Sequence, residues 1–435
     1  MPYVRATLPL ELVRHVELAL DVAGRALDLA MHDMAAPPHP ASEPAPLSLV
    51  EVVADTAMLL RAAAPLGRTH PRIARTITRL VQRVAPLARG DELLALLCHE
   101  PSRALDRAAA HLHLRELGHG DDGVDRLVAM ALHAEGTGSP ERLPHHQLEH
   151  EWLRAKWNRA LDPAQFAALL ERTCASGPID ALGARSADLH ALTHVVLSAT
   201  DLGAQPVAWP RPLAEIAADA EAGLAAALDA DDFQLAAELL WTWPMLRLPW
   251  SPIASFAFDL LAAAADERGF LPGPGYREHA VRTLDEPARD AYVLRTSYRA
   301  TYVFAVTAAV AAHTGCVPVD DPPVTQRSSH SASSVVAELL RVLREEPPSW
   351  LDAFETVAPD RRPPLADLLV TSALRRAYGA NDLAGVRRAL QIASEGDLLR
   401  GPAVRQATAL LRRAAILAQL TGDGPAATLV GRDCA

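Results

Sequence analysis

Four histidines stand in two pairs whose spacing suits metal chemistry. His146 and His150 are four residues apart in PHHQLEHEWLRAKWNRA, residues 144–160, and His190 and His194 are four apart in SADLHALTHVVLSATDLG, residues 186–203. On a helix this spacing sets both imidazoles of a pair on one face, the arrangement by which paired histidines grip a transition metal such as zinc, iron or copper. Glu149 follows His146 by three residues, shares its face, and could add a ligand or act as a general base in a metal-dependent enzyme. Without a metal, the same segment suits the wall of a ligand pocket, because Trp152, Arg154, Lys156 and Trp157 mix aromatic and cationic character that fits an anionic or aromatic molecule. Asp201 lies on the face of His190 and His194, but roughly 10 Å farther along the axis than His194, which marks it as a helix-end residue rather than a co-ligand. Neither segment carries the H-E-x-x-H pattern of metalloproteases.

Two further segments could border such a pocket. In DERGFLPGPGYREH, residues 266–279, glycine and proline alternate before Tyr276 and must stop the preceding helix in a rigid, extended turn. Just beyond, SYRATYVF places Tyr298, Arg299, Thr301 and Tyr302 at the opening of a strongly apolar helix, where a buried hydroxyl or guanidinium needs a partner. Asp121, Asp122 and Asp125 match the spacing of a magnesium-diphosphate motif, but they follow Gly118 and Gly120 and read as a turn that caps the next helix. Serine nucleophile elbows, P-loops and dinucleotide fingerprints are missing.

The elements that position these residues are helices. Apolar residues recur at spacings of three and four, as in Leu10, Val13, Val16, Leu20, Val22, Ala26 and Leu29, and strict alternation of β-branched or aromatic residues is absent. The pattern predicts helices near 8–34, 48–64, 70–86, 90–98, 102–117, 121–134, 146–160, 163–174 and 186–200. It predicts further helices near 211–229, 232–243, 251–266, 286–312, 333–346, 364–378, 382–395 and 401–421. The helix near 163–174 would let the two histidine-bearing helices run parallel as neighbours. The expected fold is all-α, a multi-hairpin α/α toroid or irregular solenoid, with an N-terminal region 1–135, a central region 136–313 holding the site, and a C-terminal region 333–435 packed as one array. Proline-rich and glycine-rich connections are expected at 36–47, 135–145 and 314–332. DADDFQLAAELL at 229–240 and GANDLAGVRRAL at 379–390 echo one another, with Asp232 and Asp382 each set to cap a helix after a tight turn.

Composition narrows the function classes. The chain has 435 residues, 42 basic against 53 acidic, a net charge of −11, and Lys156 as its only lysine. Such a balance without a basic stripe argues against nucleic acid and against an anionic membrane surface. Four scattered cysteines fit neither a zinc knuckle nor a secreted disulfide framework, and the charged N-terminal segment does not resemble a signal peptide, so a cytoplasmic protein is expected. The uncharged run from Ala300 to Val319 contains Gly315 and Pro318 and reads as a buried helix ending near His313, not a membrane span.

ALTHVVLSATDLG at 191–203 and GFLPGPGY at 269–276 resemble a family of actinobacterial helical proteins that accompany natural-product gene clusters, with the similarity covering about residues 140–320. At a lower level the pattern is similar to the α/α toroids of terpenoid cyclases and prenyltransferases, although this chain lacks their acidic motif at the cavity. The resemblance implies a setting in secondary metabolism and leaves the chemistry open. Two functions follow as expectations: a tailoring enzyme acting on a small molecule or peptide in a histidine-lined, metal-binding pocket, or a helical-repeat scaffold that binds a peptide or protein partner.

Overall fold

Leucine and alanine at three- and four-residue spacing give each segment an apolar stripe that only another helix can cover. The computed structural model describes residues 8–35, 44–134, 141–158, 162–318 and 329–421, and among these the chain is all-α, without a strand. The first region forms α1 (Leu8–Ala35), α2 (Leu49–Gly67), α3 (Pro71–Leu87), α4 (Asp91–His99), α5 (Ala104–Arg107), α6 (Ala109–Glu116) and α7 (Asp122–Ala134). The middle forms α8 (Pro144–Asn158), α9 (Pro163–Glu171), α10 (Ser186–Thr200), α11 (Leu213–Asp229), α12 (Phe233–Leu239), α13 (Thr242–Leu246), α14 (Pro252–Arg268), α15 (Glu278–Val281) and α16 (Glu286–Thr314). The last region forms α17 (Ser329–Leu343), α18 (Leu351–Thr356), α19 (Ala366–Gly379), α20 (Leu383–Glu395) and α21 (Pro402–Thr421). Most of the expected connections at 36–47, 135–145 and 314–332 fall on residues outside those described.

Two expected helices are split. The segment 102–117 breaks at Ala108, whose ψ of 1° leaves the helical range. The segment 232–243 ends at Leu239, and α13 begins after it, because Pro244 has no N–H to give the carbonyl of Leu240 and could not continue the same helix. Short α15 and α18 have too few turns to show a periodicity and were not expected.

The turns before α12 and α20 are built alike. Asp231 and Asn381 adopt left-handed backbone at φ 53° and 56°, and the next residues, Asp232 and Asp382, accept the N–H of Leu235 and of Gly385 at 3.0 and 2.9 Å. The echo in the sequence is therefore an echo of helix-hairpin geometry.

What positions the site is a closed circuit of neighbours: α2 packs on α16, α16 on α12, α12 on α10, α10 on α8, α8 on α6, and α6 back on α2. Helix α16 is buried on every side from Ala300 to Ala311, which explains its uncharged run, and it stops at Gly315 with φ 69°. No described helix is long and apolar enough to cross a membrane. A main cluster of buried apolar side chains runs from Leu12 to Ala407 through all three regions, and a smaller one, with Leu148, Phe166, Leu170 and Val195, lies between α8, α9 and α10.

Candidate ligand-binding cavity

Helices α8 and α10 do run parallel, as their sequence spacing suggested. Glu149 approaches His194 near the start of the pair, and Trp152 and Lys156 meet Asp201 near its end. One face of α10 therefore carries His190, His194, Ser198 and Asp201 in register with Glu149, Trp152 and Lys156 of α8. The two ends of this shared face differ in kind.

At the C-terminal end the helices surround a cavity of about 890 Å³, bordered by the last turns of α2, α6, α10 and α16 and by the middle and end of α8. Its floor is a quartet of charges. Lys156 Nζ donates to Glu116 Oε1 and Oε2 at 3.0 Å each and to Asp201 Oδ1 at 2.6 Å. An ammonium has three N–H groups, so these three contacts match its donor capacity. Arg61 pairs through Nε with Glu116 and through Nη2 with Asp201 Oδ2 at 2.6 Å. Trp152 Nε1 donates to Asp201 Oδ1 at 2.6 Å, and the Lys156 ammonium lies 4.8 Å from the Trp152 ring.

Two charges of each sign cancel in the quartet, which is how such groups tolerate burial. Burial alone would raise the Asp201 carboxyl, but the charges of Arg61 and Lys156 and the bonds from Lys156 and Trp152 outweigh it and hold it at about 2. Burial, with Arg61 beside it, lowers the Lys156 ammonium against the pull of Asp201 and Glu116. Beneath them His113 is buried and kept neutral, first by burial and then by Arg61 and Lys156.

The turn that delivers Asp201 is unusual. Asp201, Leu202 and Gly203 are consecutive left-handed residues at φ 51°, 59° and 77°. For the two non-glycine residues this conformation costs on the order of 1–2 kcal/mol each. At Gly203 a Cβ would also meet Val310 Cγ1 at 3.1 Å and Met245 Cα at 3.2 Å, so glycine is required by both backbone and space. The strain is offset by the charge pairs that Asp201 makes once placed.

At the N-terminal end the histidines meet carboxylates instead of one another. His190 Nδ1 lies 2.7 Å from Glu238 Oε2, a carboxylate that also accepts from Thr193 at 3.1 Å and from Gln234 at 3.2 Å. This bond raises the His190 pKa. His194 Nδ1 lies 3.7 Å from Glu149, and although burial works against its charge, Glu149 and Glu238 raise its pKa overall. His150 is buried, with Nδ1 3.7 Å from Asp106 and Nε2 3.3 Å from Arg154, while His146 packs at a tilt of 55° against His145 with ring centroids 4.1 Å apart. Among the described residues no group of three or more His, Cys, Asp or Glu side chains is placed to hold a metal ion. His146, His150, His190 and His194 thus share a pair of helices without sharing a coordination point.

The other expected site residues are dispersed. Trp152 lines the large cavity, whereas Arg154 turns toward Glu151 and His150. Tyr276 donates to Glu278 at 2.9 Å on the surface. Tyr298 and Arg299 both bind Asp55, at 3.1 and 3.0 Å, and Tyr298 borders a separate cavity of about 300 Å³ with Phe270. The glycine-proline loop is tied to α16 by Leu271 N–H to Thr301 Oγ1 at 3.0 Å and Gly273 N–H to Ser297 Oγ at 3.2 Å. A Cβ on Gly273 would fall 2.0 Å from the Thr296 carbonyl oxygen, so its glycine serves close packing. Asp121 caps α7 by accepting from Gly123 and Val124 at 2.9 and 3.0 Å, and Asp125 pairs with His111, so the diphosphate pattern is a cap.

Sequence reasoning missed Arg61, Glu116 and Ser198. Their only signal is indirect: the single lysine of an arginine-rich chain and the Asp-Leu-Gly that ends α10 mark where their partners lie. No curated protein and no solved structure matches the chain. The family model described as "Domain of unknown function (DUF6895)" matches residues 18–309, more than half of the chain and all of the helical circuit except the end of α16, and the protein belongs to that family.

Proposed function

We propose that the protein binds a small amphipathic organic molecule in the cavity over Trp152 and the Arg61, Lys156, Glu116 and Asp201 quartet, as a tailoring protein for such molecules. The observation that carries this reading is the cavity of about 890 Å³, which pairs apolar walls such as Phe166, Leu202 and Val310 with charged groups fixed by one another. Small-molecule sites have this size and this mixture. Such binding requires no metal, and the histidines at the far end of α10 have carboxylate partners of their own.

Binding of the fluorescent amphiphile anilinonaphthalene sulfonate, followed by titration, tests the reading. One saturable site is expected in the native protein, and Ala155→Trp, which fills the cavity from α8, is expected to weaken it more than tenfold while circular dichroism stays native. Equal binding by both proteins, or none by either, would remove the cavity as the site.

The rival reading, a scaffold for a peptide or protein partner, draws support from Ile416, Leu417 and Leu420, which are exposed on one face of α21. Serine at Ile416 and Leu420 would abolish that kind of binding and leave the cavity untouched.

A further inference from the structure

A second cavity, of about 300 Å³, lies under the glycine-proline loop, between α1, the end of α14 and the start of α16. It shares no lining residue with the large cavity over the Asp201 quartet. Its wall is preformed. The loop is pinned to α16 through Thr301 and Ser297, and Gly273 sits so close to the Thr296 carbonyl that only glycine fits. A wall of this kind spares a ligand the cost of ordering it.

Three arginines border this cavity, Arg25, Arg268 and Arg289, against one acid, Asp290, in a chain whose net charge is −11. Arg25 faces Asp290 at 3.4 Å with both side chains at least half exposed, and such a pair contributes little. Arg268 bonds Glu267 at 2.6 Å, and Arg289 bonds the Leu284 carbonyl at 3.1 Å. A guanidinium has five N–H groups, so each of the three keeps donors for a further acceptor. Helix electrostatics account for Arg268, the last residue of α14, but not for Arg289. As the fourth residue of α16, Arg289 stands where the helix already carries partial positive charge, and a cation there is disfavoured. The deeper lining is different in kind. Val22, Leu294 and Tyr298 are buried, the Tyr298 hydroxyl is spent on Asp55 at 3.1 Å, and Thr301 Oγ1 donates to the Ser297 carbonyl at 3.0 Å. What remains there for a ligand is apolar and aromatic surface.

Independently of the large cavity, we infer that this one is a second ligand site, for a compact molecule with an aromatic or branched apolar body and one oxyanion head. The head is held by Arg25, Arg268 and Arg289, and the body lies against Phe270, Leu294 and Tyr298. The volume admits on the order of ten non-hydrogen atoms, at the share that each water takes in the liquid. Guanidiniums bind carboxylate and phosphate oxygens alike, and titration separates the two heads.

Calorimetric titration of the full chain with phenylacetate, phenyl phosphate and phenylacetamide tests this. At least one of the two anions is expected to bind about tenfold more tightly than the neutral amide, because hydrogen bonds between ionised partners are the stronger ones. The tighter anion names the head. Arg25→Gln and Arg289→Gln change exposed side chains, so both variants should keep native circular dichroism. Each should lose about three- to tenfold in affinity for that anion and bind the amide unchanged. Val281→Trp, which fills the cavity from α15, should abolish binding of all three probes, whereas Ala155→Trp, which fills the large cavity, should leave them unchanged. Amide binding as tight as that of both anions would overturn the oxyanion head, and unchanged anion affinity in both glutamine variants would remove the arginines from it. No binding by any probe, or binding lost in Ala155→Trp and kept in Val281→Trp, would overturn the second site. The fluorescent amphiphile reports on the large cavity separately.

Discussion

The two ends of the α10 face hold polar clusters of similar composition and opposite character. At the start of the helix, His190 and His194 are 34% and 41% exposed in their side chains and each faces one carboxylate. At its end, Lys156 is 3% exposed and ties Glu116 and Asp201 together beside a cavity. Of the two histidine pairs at i and i+4, the one on α10 thus falls where solvent still reaches both imidazoles. The cluster that no motif announces gathers around a nearly buried ammonium, whose hydrogen bonds solvent could not replace.

The largest effect should come from breaking the quartet. Asp201→Asn keeps a residue that tolerates left-handed backbone but leaves Arg61 and Lys156 with one carboxylate between them, and about 3–5 kcal/mol of unfolding free energy should be lost in urea titrations. His194→Ala, in contrast, should cost less than about 1 kcal/mol, since it and its partner Glu149 are 41% and 33% exposed in their side chains. A similar cost for the two substitutions would erase the distinction between the ends.

The lone lysine provides a finer test. Lys156→Arg keeps the charge but places a planar fork where three separate acceptors surround a point charge, and thermal unfolding should show a loss of roughly 1–3 kcal/mol. Gly203→Ala should cost about as much, roughly 1–3 kcal/mol, because the left-handed turn and the contacts with Val310 and Met245 both oppose a Cβ. An unperturbed Gly203→Ala protein would show that the turn is not held by the packing around it.

The smallest effect is one of pH and has a different sign at each end. His190 and His194 are raised above 6.5 by their carboxylates, so the stability they add is fully present below about 6.5 and is lost as pH rises through the raised values. Asp201 is lowered from 3.8 to about 2, so its contribution is present above about 3.8 and is lost only as pH falls through about 2. Because His15 and His113 are lowered by burial and add stability as pH rises, the test is a difference: the urea midpoint of the native protein minus that of Glu238→Gln should shrink between pH 6 and 9. Asp201→Asn should shift the whole curve down without changing its slope in that window.

Much of the architecture was legible because helix formation is local. The 3.6-residue period of Leu10, Val13 and Val16, the capping role of Asp232 and Asp382, and the uncharged run of α16 each rest on residues within a few turns of one another. The parallel course of α8 and α10 was legible for the same reason, since one short helix, α9, joins them. Those features determined an all-α chain and put Trp152, Lys156 and Asp201 on facing helices.

The site itself was settled by tertiary structure. Arg61 is 140 residues from Asp201, and Glu116 is 40 from Lys156, and no local pattern ties either to its partner. Only the closing of α2, α6, α8, α10 and α16 on one another decided which histidines reach a carboxylate and which charges meet beside a cavity. The sequence carries helices because hydrogen bonds four residues apart make them. It does not carry the cavity, because a cavity is the space left when distant helices cannot fill one another's gaps.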